Sequence, residues 1–202
     1  MRKIVLLLLA CMLLGGCTAS NKATMVNGEI DTAPRVMGLE YRDFEEAAAK
    51  SVNDMLASGA VNRPGGGRYV LVVSRIINDT MQNIDTDQLV KKIRVELLRS
   101  GKVVTTTAMG LGGAEDPMVA EARKLRQSEE VNQGTVAEKG KIIAPDLSLS
   151  GKIIQRNHSL NSSTQQVEYY FMLSLTDISS GLAFWEGEAP IIKRGSNKSV
   201  SW

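Results

Sequence analysis

One histidine, two cysteines and 22 Asp and Glu residues are the groups from which this 202-residue chain could build acid–base, nucleophilic or metal chemistry. His158 lies between Asn157 and Ser159, in a stretch expected to form a hairpin turn, where a lone imidazole is a solvated surface group. No second histidine completes a zinc site, and no run of carboxylates has the spacing of a calcium loop. Serine nucleophiles have no base to call on: there is no G-x-S-x-G elbow, and His158 is the only imidazole. Paired carboxylates are the remaining catalytic option, as in glycoside hydrolysis. The candidates Glu45, Glu46, Asp85, Asp87, Glu129, Glu130, Glu186 and Glu188 fall at helix starts and on strand faces, as a solvated surface does. Aromatic residues make up 4% of the chain, so platforms for stacking sugars or bases are scarce. Gly110-Leu111-Gly112-Gly113 precedes a helix, but Glu115 stands where a dinucleotide loop needs its third glycine. With Asp116 it places negative charge where phosphates would sit. Pro64-Gly65-Gly66-Gly67 lacks the Lys-Ser/Thr of a P-loop and reads as a turn. The expectation is a protein that is not an enzyme and takes no cofactor, metal or small-molecule substrate.

Composition narrows the partners. Lys and Arg number 24 against 22 acids, a net charge of +2, which argues against nucleic acid bound through bulk positive charge. At 43% hydrophobic and 23% charged, the chain has the make-up of one globular domain with a sizeable core.

The amino terminus carries a different chemistry. Arg2 and Lys3 precede the apolar run Ile4–Leu14, too short for a bilayer-spanning helix and suited to the core of a signal peptide. Leu14-Gly15-Gly16-Cys17 resembles the lipobox of bacterial lipoproteins, in which cleavage before the cysteine is coupled to its acylation. Residues 1–16 are therefore expected to be a signal peptide, with Cys17 the lipidation site. Removal of Arg2 and Lys3 leaves 22 basic and 22 acidic residues, a mature charge of zero. Cys11 leaves with the signal and Cys17 is consumed by lipid, so no disulfide is expected and packing must hold the domain. Thr18 stands where an Asp would favour inner-membrane retention. By resemblance to Gram-negative sorting, that points to lipid anchoring in the outer membrane, facing the periplasm. Residues 17–38 form the lipidated terminus and a polar, flexible tether, 39–194 the globular domain and 195–202 a tail whose Trp202 is expected to dock back.

Within the domain, Asp43 and Glu46 predict a helix cap, followed by Phe44, Ala48, Val52, Met55 and Leu56 at helical spacing up to Gly59. Tyr69–Ile77 is apolar on both faces, as a strand covered on both sides would be. Asp85 and Gln88 predict a second cap, with Leu89, Val90, Ile93, Leu97 and Leu98 on one face and Gly101 beyond the end. Lys102–Thr107 predicts a second strand, completing a strand–helix–strand unit. Asp116-Pro117 opens a third helix running to about Glu130, with a weak helical turn at Thr135–Lys139. From Pro145 the period becomes two, and 146–156, 165–176 and 182–192 read as an antiparallel meander. The fold class is α/β (α+β): a single mixed sheet, a strand–helix–strand unit followed by a C-terminal antiparallel meander, with helices packed on the sheet.

This order resembles the penicillin-binding protein activator LpoB family. The residues that carry the resemblance begin with Val70-Leu71-Val72-Val73-Ser74 leading into Asn78-Asp79-Thr80, the helix with Leu89 and Leu97, and Arg99-Ser100-Gly101-Lys102. They continue in Ala144-Pro145-Asp146-Leu147-Ser148-Leu149-Ser150-Gly151 and in Gly181 through Phe184-Trp185-Glu186-Gly187. The resemblance covers about residues 40–190. It implies an outer-membrane lipoprotein that binds a bifunctional, class A penicillin-binding protein and stimulates peptidoglycan synthesis by direct contact, with Asn78, Asp79 and Thr80 as the candidate interaction residues. The tether here is shorter than the long, Pro-rich one of better-known members. An accessory lipoprotein for outer-membrane assembly or secretion is the alternative reading.

Overall fold

The structure, a computed structural model, describes residues 23–28, 30–110 and 115–199. The signal peptide, Cys17, the first part of the tether, Leu111–Gly113 and Trp202 lie outside the described residues. The chain divides into Met1–Thr32 and a body, Ala33–Trp202. In the first unit, the Ile30 amide donates to the Asn27 carbonyl at 3.2 Å, and Met25, Val26 and Ile30 are exposed.

The body opens with α1, Tyr41–Ala57. Asp43 is not its cap: the helix starts earlier, Glu40 is the N-cap, and the Asp43 carboxylate accepts the Glu40 amide at 2.8 Å. Phe44, Ala47, Ala48, Val52 and Met55 form the buried stripe, and Gly59 takes up φ 79° just past the end, where a Cβ would be strained. Strand β1, Tyr69–Asp79, runs two residues further than its apolar pattern. Asp85 caps α2, Thr86–Arg99, its carboxylate accepting the Asp87 amide at 2.9 Å. Leu89, Val90, Ile93 and Leu97 are buried, but Leu98 is 48% exposed, one step around the helix from the core stripe. Strand β2 is only Val103–Thr105.

Helix α3, Pro117–Lys124, begins at the expected Asp116 cap and stops well before Glu130, passing into a 3₁₀ turn at Leu125–Gln127. None of its residues is buried, so no apolar face stabilises further turns. The Gln133 amide instead bonds the Leu125, Ser128 and Val131 carbonyls. The helical turn expected at Thr135–Lys139 is a 3₁₀ turn at Gln133–Thr135, capped by Asn132.

Strands β3 (Leu147–Ser159), β4 (Thr164–Asp177) and β5 (Ala183–Ser196) form the meander. The β3–β4 turn is tighter than the polar stretch suggested, because the Asn161 carboxamide accepts the Ser163 and Thr164 amides at 2.9 and 2.8 Å. His158 is therefore in β3, opposite Gln166, rather than in the turn.

The five strands form one sheet in the order β2-β1-β3-β4-β5. Strand β1 is parallel to both β2 and β3, and β3, β4 and β5 are mutually antiparallel. Helices α1 and α2 share one core with the inner-facing residues Leu71, Val73, Ile76, Leu147, Leu149, Ile153, Phe171, Leu173 and Leu175. Both long helices lie on that face. Val72 is buried on the other face without belonging to this core, so β1 is not sandwiched between two helical layers as its apolar run suggested.

The segment leading into α1, expected to be tether, is bonded to the body. The Lys193 ammonium donates to the Val36 and Gly38 carbonyls at 2.9 and 2.6 Å and to Asp43 at 2.5 Å. Tyr169 donates its hydroxyl to the Met37 carbonyl at 3.3 Å, and Arg35 pairs with Asp43 at 2.9 Å. Residues 35–38 thus form a strap across β4 and β5. Strand β5 continues to Ser196, two residues past the expected edge of the domain.

Candidate functional site

The three residues singled out for contact stand where β1 leaves the sheet. Asn78 is the inward-facing neighbour of Ile153, and Asp79 the outward-facing neighbour of Ile154. Asn78 folds the corner: its carboxamide donates to the Gln82 carbonyl at 2.8 Å and accepts from the Thr80 amide at 3.2 Å and hydroxyl at 2.7 Å. The Thr80 hydroxyl oxygen accepts the Gln82 amide at 3.1 Å. The polar atoms of Asn78 and Thr80 are thus spent on the turn itself. Asp79 is the one of the three that faces solvent, 59% exposed and 2.6 Å from the Lys152 ammonium.

Neighbours that the sequence did not mark complete the corner. Gln82 accepts the Leu39 amide at 2.9 Å, tying the corner to the end of the strap. Gln155 accepts the Met81 amide at 3.1 Å and donates to Asn157 at 3.0 Å. Met81 and Ile77 remain 62% and 51% exposed, so the corner offers apolar contact area framed by Asp79 and Lys152. No local spacing could have paired Leu39 with Gln82 or Met81 with Gln155, since the tertiary fold creates both contacts. Beside the corner, Arg75, Ile76, Ile77 and Asn78 of β1 and Thr86, Asp87 and Val90 of α2 line a groove of about 310 Å³.

The other motif residues hold the fold. The Asp146 carboxylate accepts the Val70 amide at 2.9 Å and pairs with Arg63 at 3.1 Å, while its amide donates to the Val70 carbonyl at 2.7 Å, clamping β1 to β3 where their pairing starts. Trp185 donates its indole N–H to Asp54 at 3.1 Å. Its ring lies across Gly187, where an added Cβ would stand 2.2 Å from the indole. The Trp-x-Gly pair is therefore a packing unit.

On the outer sheet face, His158 lies 3.4 Å from Glu168. Glu168 also accepts from the Tyr170 hydroxyl and the Gln166 amide, both at 2.7 Å. These bonds, Tyr170's first, hold the Glu168 carboxyl below its ordinary range and raise the Tyr170 hydroxyl above its own. The carboxylates considered for hydrolysis do not converge: Glu46 pairs with Arg35, Glu45 with Lys92, and Asp85 caps α2. Among the described residues no three His, Cys, Asp or Glu side chains group as a metal site, and no helix is long and apolar enough to cross a membrane.

The corner is a hydrogen-bonded polar turn with exposed apolar side chains and a groove beside it. The profile of one family, described as peptidoglycan-synthase activator LpoB, matches residues 43–191. Among solved structures, the LpoB C-terminal domains from Salmonella enterica and Escherichia coli are each 15% identical to this chain, with a TM-score of 0.44 over 74% of this chain and 98% of theirs. Lipoprotein GNA1162 from Neisseria meningitidis is 14% identical, with a TM-score of 0.38 over 66% of this chain and 87% of its own. No curated protein matches.

Proposed function

Because the chain belongs to the peptidoglycan-synthase activator LpoB family, we propose that it is a lipoprotein anchored in the outer membrane through Cys17, which binds a bifunctional, class A penicillin-binding protein and activates it by direct contact. The family match over 43–191 is the observation that carries this reading. A hydrogen-bonded corner that presents Asp79, Lys152, Ile77 and Met81 supports it. The contact residues are Asp79 and its exposed neighbours, with Asn78 and Thr80 holding the corner in shape.

The strap changes the reach of this activator. With residues 35–38 bonded to the body, the chain between Cys17 and Ala33 sets the distance to the anchor, at most about 55 Å when fully extended. Activation then requires the synthase to extend toward the outer membrane, or the two membranes to lie close together. Tethering keeps the local concentration of the activator high within that shell.

The test is glycan polymerisation by the purified synthase from the same organism, followed as the body Ala33–Trp202 is added. Acceleration that saturates with concentration is expected. Neither binding nor acceleration would sink the activator reading for that enzyme and move the accessory role in assembly or secretion to first place. Labelled palmitate incorporated by the wild type and not by Cys17→Ser tests the anchor.

A further inference from the structure

Strand β1 is filled along its length on one side only. Strand β3 pairs with it from Leu71 to Asp79, whereas β2 pairs over Tyr69–Leu71 alone. The last bond on the β2 side is donated by the Thr106 amide to the Leu71 carbonyl at 2.9 Å. Beyond it, no backbone group among the described residues bonds to that side of Val73–Asp79. Leu71 faces the core and turns its carbonyl toward β2. In a strand, residues on one face point their N–H and C=O the same way. Past the bulge between Val73 and Ile76, the core-facing residues are Ile76 and Asn78. Their backbone groups, with those of Val73, make an open row along the groove floored by Thr86, Asp87 and Val90.

Such an edge templates strand addition, and proteins ordinarily blunt it with proline, an inward lysine or a covering segment. Among the described residues no proline, inward lysine or covering strand stands on the open row; the bulge between Val73 and Ile76 interrupts it and leaves Ile76 and Asn78 as its regular part. Arg75, beside it, is exposed and has no ion-pair partner among the described residues, and Ile77 next to it is half exposed.

We propose that the open edge of β1 takes up an extended strand of the penicillin-binding protein, an inference that rests on the activator reading. The backbone of that strand completes the ladder at Ile76 and Asn78. Its side chains place an acid across from Arg75 and an apolar residue beside Ile77, following cross-strand pairing. A second copy of this chain fits the edge less well. Symmetric pairing of two β1 edges would bring two Arg75 side chains together with no acid between them. A single strand that carries an acid avoids this.

Amide hydrogen exchange reads the edge directly. The body Ala33–Trp202 contains every residue of the core, so it folds alone and can be followed with and without the purified synthase. The amides of Val73, Ile76 and Asn78 should exchange freely in the isolated body and slow by about tenfold or more on binding. Arg75→Glu should weaken binding about tenfold or more with the melting temperature unchanged, and Arg75→Lys should retain most of it. Binding that leaves those amides unprotected, or that tolerates Arg75→Glu, overturns strand addition while the activator reading stands. No binding at all overturns both.

Discussion

At its β5 side the sheet ends in a 14-residue strand with Pro190 near the middle. Lys193 there is turned inward onto Asp43, and the strap is bonded alongside. At the β1 side, β2 covers three residues and stops, and among the described residues no proline, inward charge or paired strand follows it along Val73–Asp79. The two edges are made by one sheet under one core, so the contrast is not one of general stability. Blunting is the ordinary treatment of an exposed strand, because an open row of N–H and C=O groups recruits other chains. The β5 side carries Pro190, a buried ion pair and the strap, whereas the open part of β1 carries a bulge and the exposed Arg75. On the proposed strand addition, the first edge is protected and the second is used.

The contrast is broken most easily at Lys193. Its ammonium is 8% exposed and faces an Asp43 carboxylate that is 1% exposed. Lys193→Met leaves that carboxylate buried with Arg35 as its remaining cation, and should cost about 3 kcal/mol in urea unfolding of the body. Arg75→Met on the open edge removes an exposed side chain with no bond, and should stay within about 0.5 kcal/mol. Equal losses at the two sites would show that the edges do not divide structure from contact in this way.

The corner supplies the next comparison, within three residues. Asn78→Ala strips the carboxamide that joins Thr80 to Gln82, and should lower stability by about 1.5 kcal/mol. Asp79→Asn loses a surface pair with Lys152 and should change stability by less than about 0.5 kcal/mol, with its effect falling on synthase activation instead. If Asp79→Asn leaves activation untouched, the contact lies along the groove rather than at the corner.

The parts of this fold that were legible in the sequence are those where local pattern decides. Val167, Tyr169, Phe171, Leu173 and Leu175 alternate because β4 is central and half covered, and the Asp85 and Asp116 caps announce α2 and α3 from side-chain chemistry alone. What was not legible depends on contacts between distant residues. Asp43 looked like a cap because it precedes an apolar stripe, yet its carboxylate serves the Glu40 amide, Arg35 and Lys193, two of them outside the helix. The strap looked like tether because Val36, Met37 and Gly38 carry no period, and only Lys193 and Tyr169, some 130 to 160 residues away, make it structure. The candidate residues Asn78, Asp79 and Thr80 stand together at the exit of β1. Their division into one outward carboxylate and two turn-makers follows from the bulge in β1 and the exit at Gln82. The groove was invisible because its walls, Arg75–Asn78 and Thr86–Val90, belong to different elements brought together by the β1–α2 turn, and β2 ends early for no reason written in its own β-branched run.

A milder change tests the strap without removing a charge. Gly195 lies under Met37, and an added Cβ would stand 2.7 Å from the Met37 sulfur. That sulfur ends a flexible side chain, so Gly195→Ala should shift the strap and cost about 1 kcal/mol. The amides of residues 35–38 should exchange faster in this variant, and those of Ile76 and Asn78 should not change.

The smallest effect belongs to the hairpin that leads into β5. Asp177 accepts the Ser180 and Ser179 hydroxyls and the Ser180 amide, each at 2.7 Å. These bonds, Ser180's first, favour the charged carboxylate and hold Asp177 below its ordinary value of 3.8. A carboxyl lowered on folding adds stability that is fully present above its unfolded pKa and is lost as pH falls through the folded one. Its share is therefore constant from neutral pH down to about 5 and declines only below about 4. Carbon-detected titration should place the Asp177 midpoint under 3.8, and Asp177→Asn should be slightly less stable than wild type from neutrality down to about pH 5, the difference closing as pH falls below about 4. A midpoint at or above that value would mean the serine bonds do not persist in solution. The guarded strand would then begin from a loose turn, and Pro190 and the strap would have to set the register of β5 by themselves.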